Sequence, residues 1–294
     1  MQWKGRRQSS NVRDARGSRS PRGASSRGSG GLATILSLAF RTLGLKGVLV
    51  VGVLGAIGWK LGLLEPSNLL AEPGPRSTYE TSPVEEERLS FVKVVLADCE
   101  DIWNEQFRTL GRSYVEPQLV VYTDTHRTAC GMGDARMGPF YCPGDDTIYI
   151  DLGFYDELER SLDAPGDFAQ AYVIAHEVGH HIQNLLGLTD KVNARRGKPD
   201  ENEYSVRLEL QADFLAGVWA HHNRHYLDRG DIEEAMRAAN QIGDDALQAR
   251  SKGRVVPHTF THGTSEQRMR WFQRGLESGR FEDGDTFALR YEDL

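Results

Sequence analysis

The chain has 294 residues, 26% of them charged and 39% hydrophobic, a composition that excludes a collagen-like, wholly disordered or polytopic membrane protein. Its net charge of -7 is unevenly spread: residues 1 to 46 hold ten Lys or Arg against Asp14 alone, a local +9 that leaves -16 for the remainder. Three cysteines with no CxxC pair exclude a disulfide-stapled miniprotein, a zinc ribbon and a thioredoxin motif.

Residues 1 to 31 are dominated by Arg, Gly and Ser and read as a disordered, solvated tail, with a nucleic-acid or anionic-lipid contact as the other reading. Nucleic acid is not expected as a partner of the protein as a whole. From 43 to 64 the sequence turns apolar, and Gly47 to Trp59 is free of charge between Lys46 and Lys60. Thirteen uncharged residues fall short of a bilayer, but snorkelling of the two lysines extends the span to the full 22-residue window. A Gly-rich buried helix is the alternative. The basic region is too long for a cleavable signal peptide, so the expectation is a basic cytoplasmic tail over 1–42 and one transmembrane signal-anchor over 43–64. A linker follows over 65–83, and an extracytoplasmic domain over 84–294. In that compartment Cys130 and Cys142, which flank CGMGDARMGPFYC, are a candidate disulfide, with Cys99 left as a core residue.

Ser82-Pro83-Val84-Glu85 reads as an N-cap, a proline at the first helical position and a capping-box Glu. Apolar residues then recur with a 3.6-residue period from Val92 to Leu110, and Gly111 ends the helix. Strand-like segments follow at 118–123 and 147–151, separated by the cysteine loop. A second helix runs from Gly166 to Gly187 with Phe168, Ala171, Ala175, Val178, Ile182 and Leu186 on its apolar face.

That helix carries His176-Glu177-Val178-Gly179-His180. Two histidines at i and i+4 stand one turn apart on one face and can reach one ion, with Glu177 placed to take a proton from a metal-bound water. A catalytic zinc needs a third ligand and an open position. Glu209 on the next amphipathic helix is the candidate ligand, and Asp213, one turn on, is placed to orient a ligand histidine. His221, His222 and His225 lie about 18 to 24 Å further along that helix at 1.5 Å per residue and cannot share the ion. His181 points about a quarter-turn away and is not a ligand either. His262, on the turn before a helix opened by Thr264-Ser265-Glu266-Gln267, could hydrogen-bond an oxyanion, whereas His258 reads as a packing residue.

Trp3-Lys4-Gly5-Arg6-Arg7 with Asn11-Val12, GPFYCPGDDTIYID at 138–151, AHEVGHHIQNLLG at 175–187, LELQADFLAGVWAHH at 208–222 and THGTSEQRMRWF at 261–272 resemble the neutral zinc metallopeptidase family of bacteria. The resemblance implies an α+β, mostly helical zincin-like domain with a small edge sheet above the active-site helix, membrane-anchored and binding one Zn2+ per chain. More distantly, the ExxxD pattern and the following histidine are similar to the CAAX-prenyl-protease group. That similarity implies Glu209 as third ligand, Asp213 behind the metal, His262 near the oxyanion and Arg268 in a substrate or structural role. Two functions follow. One is a membrane-anchored endopeptidase acting on peptide or unfolded-protein substrates with Glu177 as general base. The other is a catalytically silent, metal-stabilised scaffold or adaptor, which the intact Glu177 disfavours. Substrate specificity and oligomeric state are not legible.

Overall fold

The computed structural model describes residues 1–18 and 79–294. The expected span at 43–64, with the tail residues 19–42 and most of the linker, lies outside them. Among the described residues no helix is long and apolar enough to cross a membrane.

After strand β1 (Val12–Asp14) the chain enters helix α1 (Pro83–Thr109) through the expected cap. The Ser82 hydroxyl accepts from the Glu85 N–H, and the Glu85 carboxylate accepts from the Ser82 N–H at 2.8 Å. Strands β2 (Gln118–Tyr122), β3 (Thr125–Thr128), β4 (Gly131–Asp134), β5 (Phe140–Cys142) and β6 (Thr147–Asp151) follow. They form a four-stranded sheet in the order β1-β2-β6-β5 and a separate β3-β4 hairpin. The first three strands of that sheet run parallel, and β5 closes it antiparallel to β6. Side chains alternate with period two. Leu119, Val121, Ile148 and Ile150 face the main core, while Val120, Tyr122, Tyr149 and Cys142 face a smaller cluster with Ala15.

The second half is helical: α2 (Phe154–Arg160), α3 (Asp167–Leu185), α4 (Leu188–Asn193), α5 (Glu201–His222), α6 (Asp231–Gln241), α7 (Asp244–Lys252) and α8 (Ser265–Ser278). Helices α5 and α8 touch backbone to backbone. A Cβ on Gly217 would sit 2.1 Å from the Phe272 carbonyl oxygen, and one on Gly275 would sit 2.0 Å from that of Phe214. Only glycine permits this approach, which seats Trp219, Phe214 and Phe272 in the core.

The expectation of a disordered tail from residue 1 is wrong for residues 1–18, which form one unit with 81–294. The Leu119 N–H donates to the Asn11 carbonyl at 2.9 Å and the Ala15 N–H to that of Val121 at 2.8 Å, extending the ladder. Trp3 packs edge-on against Phe91 with centroids 5.4 Å apart, and the Arg6 guanidinium lies 3.2 Å over the Tyr226 ring. Arg6 pairs with Asp98 at 2.5 Å, Arg7 with Glu100 and Asp101 at 2.9 Å each, and Arg16 with Glu86 at 2.7 Å. The arginines of residues 1–18 are therefore interleaved with the carboxylates of α1, which is what orders a segment with so few apolar residues. This packing also bears on the expected topology. An N-terminus held on the cytoplasmic side and a domain over 84–294 held on the other would pull β1 out of its sheet.

Candidate metal centre

Helix α3 starts after Gly166, at φ +115, with its Phe168 N–H bonded to the Glu234 carboxylate at 3.0 Å, and stops at Gly187, at φ +76. Its period places His176 and His180 on one face, ring centroids 4.8 Å apart. Across from them α5 presents Glu209: the His176 Nε2 is 3.3 Å from one carboxylate oxygen and the His180 Nε2 is 3.5 Å from the other. The opposite ring nitrogens are occupied, the His176 Nδ1 by Asp213 at 2.8 Å and the His180 Nδ1 by the Gln183 side-chain oxygen at 2.9 Å. Each Nδ1 thus donates, which leaves each Nε2, facing Glu209, as the ring atom available to a metal. Ligand atoms of the three side chains lie within 4.8 Å of one another. Two imidazoles and one carboxylate at this spacing fit a zinc ion.

Charge at the site follows from burial and these partners. Burial alone would lower the His176 pKa, but Asp213 and Glu209 outweigh it and lift it to about 9. Burial works to raise the Glu209 carboxyl, yet His180 and His176 hold it well below the usual range. The Glu177 carboxyl is pushed up by burial against the pull of His180 and His176, and the Tyr141 backbone N–H bonds to it. Glu177 stands outside the ligand trio.

Asp213 is wholly buried and held on all sides. It accepts from the Tyr172 hydroxyl at 2.5 Å, from the His176 Nδ1, and from the Arg268 Nε and terminal nitrogen at 2.8 and 2.9 Å. Arg268 is itself only 2% exposed, so both of its bonds to Asp213 are made in the interior. His262 is half-exposed, and a Cβ on the glycine after it would sit 3.2 Å from Leu210 and 3.3 Å from Val206, which flank Glu209 on α5. A hydrogen bond to Asp244 raises the His262 pKa against the effect of burial, with Glu209 adding to the rise.

Of the remaining histidines, His225 and His258 are exposed, so the expectation of His258 as a packing residue is not met. His221 bonds the Leu276 carbonyl at 2.8 Å and His222 that of Gly279 at 2.9 Å, while His225 lies against Tyr226. His181 bonds the Val115 carbonyl at 2.6 Å and lies 3.1 Å from the Tyr141 hydroxyl, tying β5 to α3. Cys130 and Cys142 are joined as a disulfide and Cys99 is buried and free. Sequence reasoning did not find Tyr172, Tyr141, Asp244 or Gln183. Gln183, one turn beyond His180, and Tyr172, one turn before His176, carried a usable signal, since both lie on the same helix.

Residues 1–287 match the family described as "Putative neutral zinc metallopeptidase". The uncharacterized protein YpfJ of Escherichia coli is 47% identical over 295 residues, covering 98% of this chain and 99% of that protein. The uncharacterized protein Rv2575 of Mycobacterium tuberculosis is 39% identical over 188 residues, covering 60% of this chain and 64% of that protein. No solved structure matches the chain at a significant level.

Proposed function

The chain belongs to the neutral zinc metallopeptidase family, and from that premise we propose that it is a zinc-dependent endopeptidase acting on peptide or unfolded-protein substrates. The observation that carries the reading is the placement of Glu177, a buried carboxylate beside the His176, His180 and Glu209 trio but outside it. A purely structural metal has no use for such a base. One zinc held by the trio would polarise a scissile carbonyl and lower the pKa of a water in the open position. Glu177 takes the proton of the attacking water and passes it to the leaving amine. Asp213 keeps the His176 Nδ1 protonated and its Nε2 available, and His262 offers a donor to the developing oxyanion. Attachment to a bilayer through residues 43–64 stays in this proposal as a segment that enters one face without crossing, because a single crossing would put residues 1–18 and 81–294, which form one unit, on opposite sides. The Cys130–Cys142 disulfide supports an oxidising compartment for the side that unit occupies.

The test compares wild-type protein and Glu177→Gln, both zinc-loaded, on a broad panel of peptides and unfolded proteins. Hydrolysis should fall by about 10² to 10⁴-fold with zinc content unchanged. A zinc-loaded wild type that cleaves nothing on the panel would put the scaffold reading in its place.

A further inference from the structure

Asp244 opens α7 and is 7% exposed. One of its carboxylate oxygens accepts three successive backbone N–H groups, those of Thr261 at 2.7 Å, His262 at 2.6 Å and Gly263 at 3.1 Å. The other oxygen lies 3.3 Å from the His262 Nδ1, where the Thr261 hydroxyl is a second neighbour at 3.1 Å. The Asp244 N–H returns a bond to the Gly263 carbonyl at 2.9 Å. On either side of Asp244 the same short motif grips Ser265, the first residue of α8. Gly243 comes so close that a Cβ there would sit 2.4 Å from the Ser265 nitrogen, and Asp245 accepts from the Ser265 N–H at 2.7 Å and hydroxyl at 2.8 Å.

We infer that Asp244, seated by Gly243 and Asp245, is the positioning residue for His262. It fixes the main chain at 261–263 and the imidazole together, leaving Nε2 as the ring atom open to a substrate. Among the described residues Nε2 has no hydrogen-bond partner. An imidazole that gives its Nδ1–H to a carboxylate presents Nε2 outward, and Nε2 becomes a donor when the ring is charged. The charged groups that act on the ring are Asp244 from α7, Glu209 from α5 and Arg268 from α8. The two carboxylates favour the charged ring and Arg268 opposes it. Neither Gly243, Asp244 nor Asp245 touches substrate in this arrangement. The catalytic consequence rests on the peptidase reading, whereas the geometric one does not.

Two measurements on the full, zinc-loaded chain separate these. In the first, nitrogen NMR of selectively labelled histidine follows the His262 ring. In wild type the Nδ1 proton should be observed directly, and the ring should titrate at higher pH than in Asp244→Asn, while Asp245→Asn leaves the midpoint in place. An unprotected Nδ1 in wild type, or equal midpoints in wild type and Asp244→Asn, overturns the inference. In the second, His262→Ala lowers kcat by about 10² to 10³-fold, the scale for one oxyanion donor. Asp244→Asn lowers kcat by less, with KM little changed, and the double variant is no slower than His262→Ala alone. A further loss in the double variant shows Asp244 acting by some route other than His262 and overturns the inference. If the ring signals behave as stated and wild type hydrolyses nothing, the positioning stands and the peptidase reading falls.

Discussion

Arg268→Met is the perturbation that most directly tests how the site is built. Asp213 is fully buried, Arg268 nearly so, and they share two hydrogen bonds. Removing the guanidinium leaves the carboxylate with the Tyr172 hydroxyl and His176 as its remaining partners, and breaking a buried pair from one side costs about 3 to 5 kcal/mol. For a folded unit of this size each kcal/mol lowers the melting temperature by about 2 to 4 °C, so a fall of about 6 to 20 °C is expected. Zinc affinity should drop in parallel, because Asp213 then binds the His176 Nδ1 in an altered charge environment. Urea and thermal unfolding at neutral pH, on metal-free and zinc-loaded protein, read both effects. Replacing both partners, Arg268→Met with Asp213→Leu, should recover much of the stability without the zinc affinity, since apolar substitutes of similar volume carry no desolvation penalty. A single variant within about 1 kcal/mol of wild type, with only KM raised, would refute this account and return Arg268 to a substrate contact.

Four further outcomes are expected. Glu209→Ala should lose the single zinc that His222→Ala retains, by metal analysis of the purified chains; equal retention would dissolve the proposed ligand trio. Cysteines placed at the exposed positions Ser10 and Thr109 should react with a membrane-impermeant maleimide from the same side in intact cells and spheroplasts, and labelling from opposite sides would mean that β1 leaves the sheet in the cell. Replacing both Cys130 and Cys142 by Ser, which opens a loop with a sequence separation of 12, should lower stability by about 3 kcal/mol in a chain-entropy estimate. Gly217→Ala should cost about 3 kcal/mol or more, since the Phe272 carbonyl has no room to retreat without separating α5 from α8.

The metal site was readable because it is local. The i, i+4 spacing of His176 and His180, and of Glu209 and Asp213, converts directly into shared helix faces, and the caps at Ser82 and Thr264 marked where their helices begin. What stayed hidden depends on distance along the chain. Asp244 reads as an ordinary acidic helix start until the fold brings Thr261 to Gly263 onto it. Strands β3 to β5 lie in a Gly-rich stretch with little apolar alternation, where a disulfide and pairing with β6 supply the order. Residues 1–18 misled for the same reason. Their arginines find carboxylates on α1 that composition places in a separate block, and composition has no way to register pairing across that separation.

The placement of β1 also imposes an order of events on the newborn chain. Its first residues leave the ribosome well before any of their partners, because Phe91, Asp98 and β2 are encoded later and the ladder from Ala15 reaches Val121. At about 5 to 20 residues per second, the roughly one hundred residues between strand and ladder take about 5 to 20 s to appear. For that interval the segment waits with its arginines and backbone groups in water. Strand β1 can join the sheet only after β2 has been made, so the edge of β2 that it covers is open from the moment β2 emerges until β1 docks there.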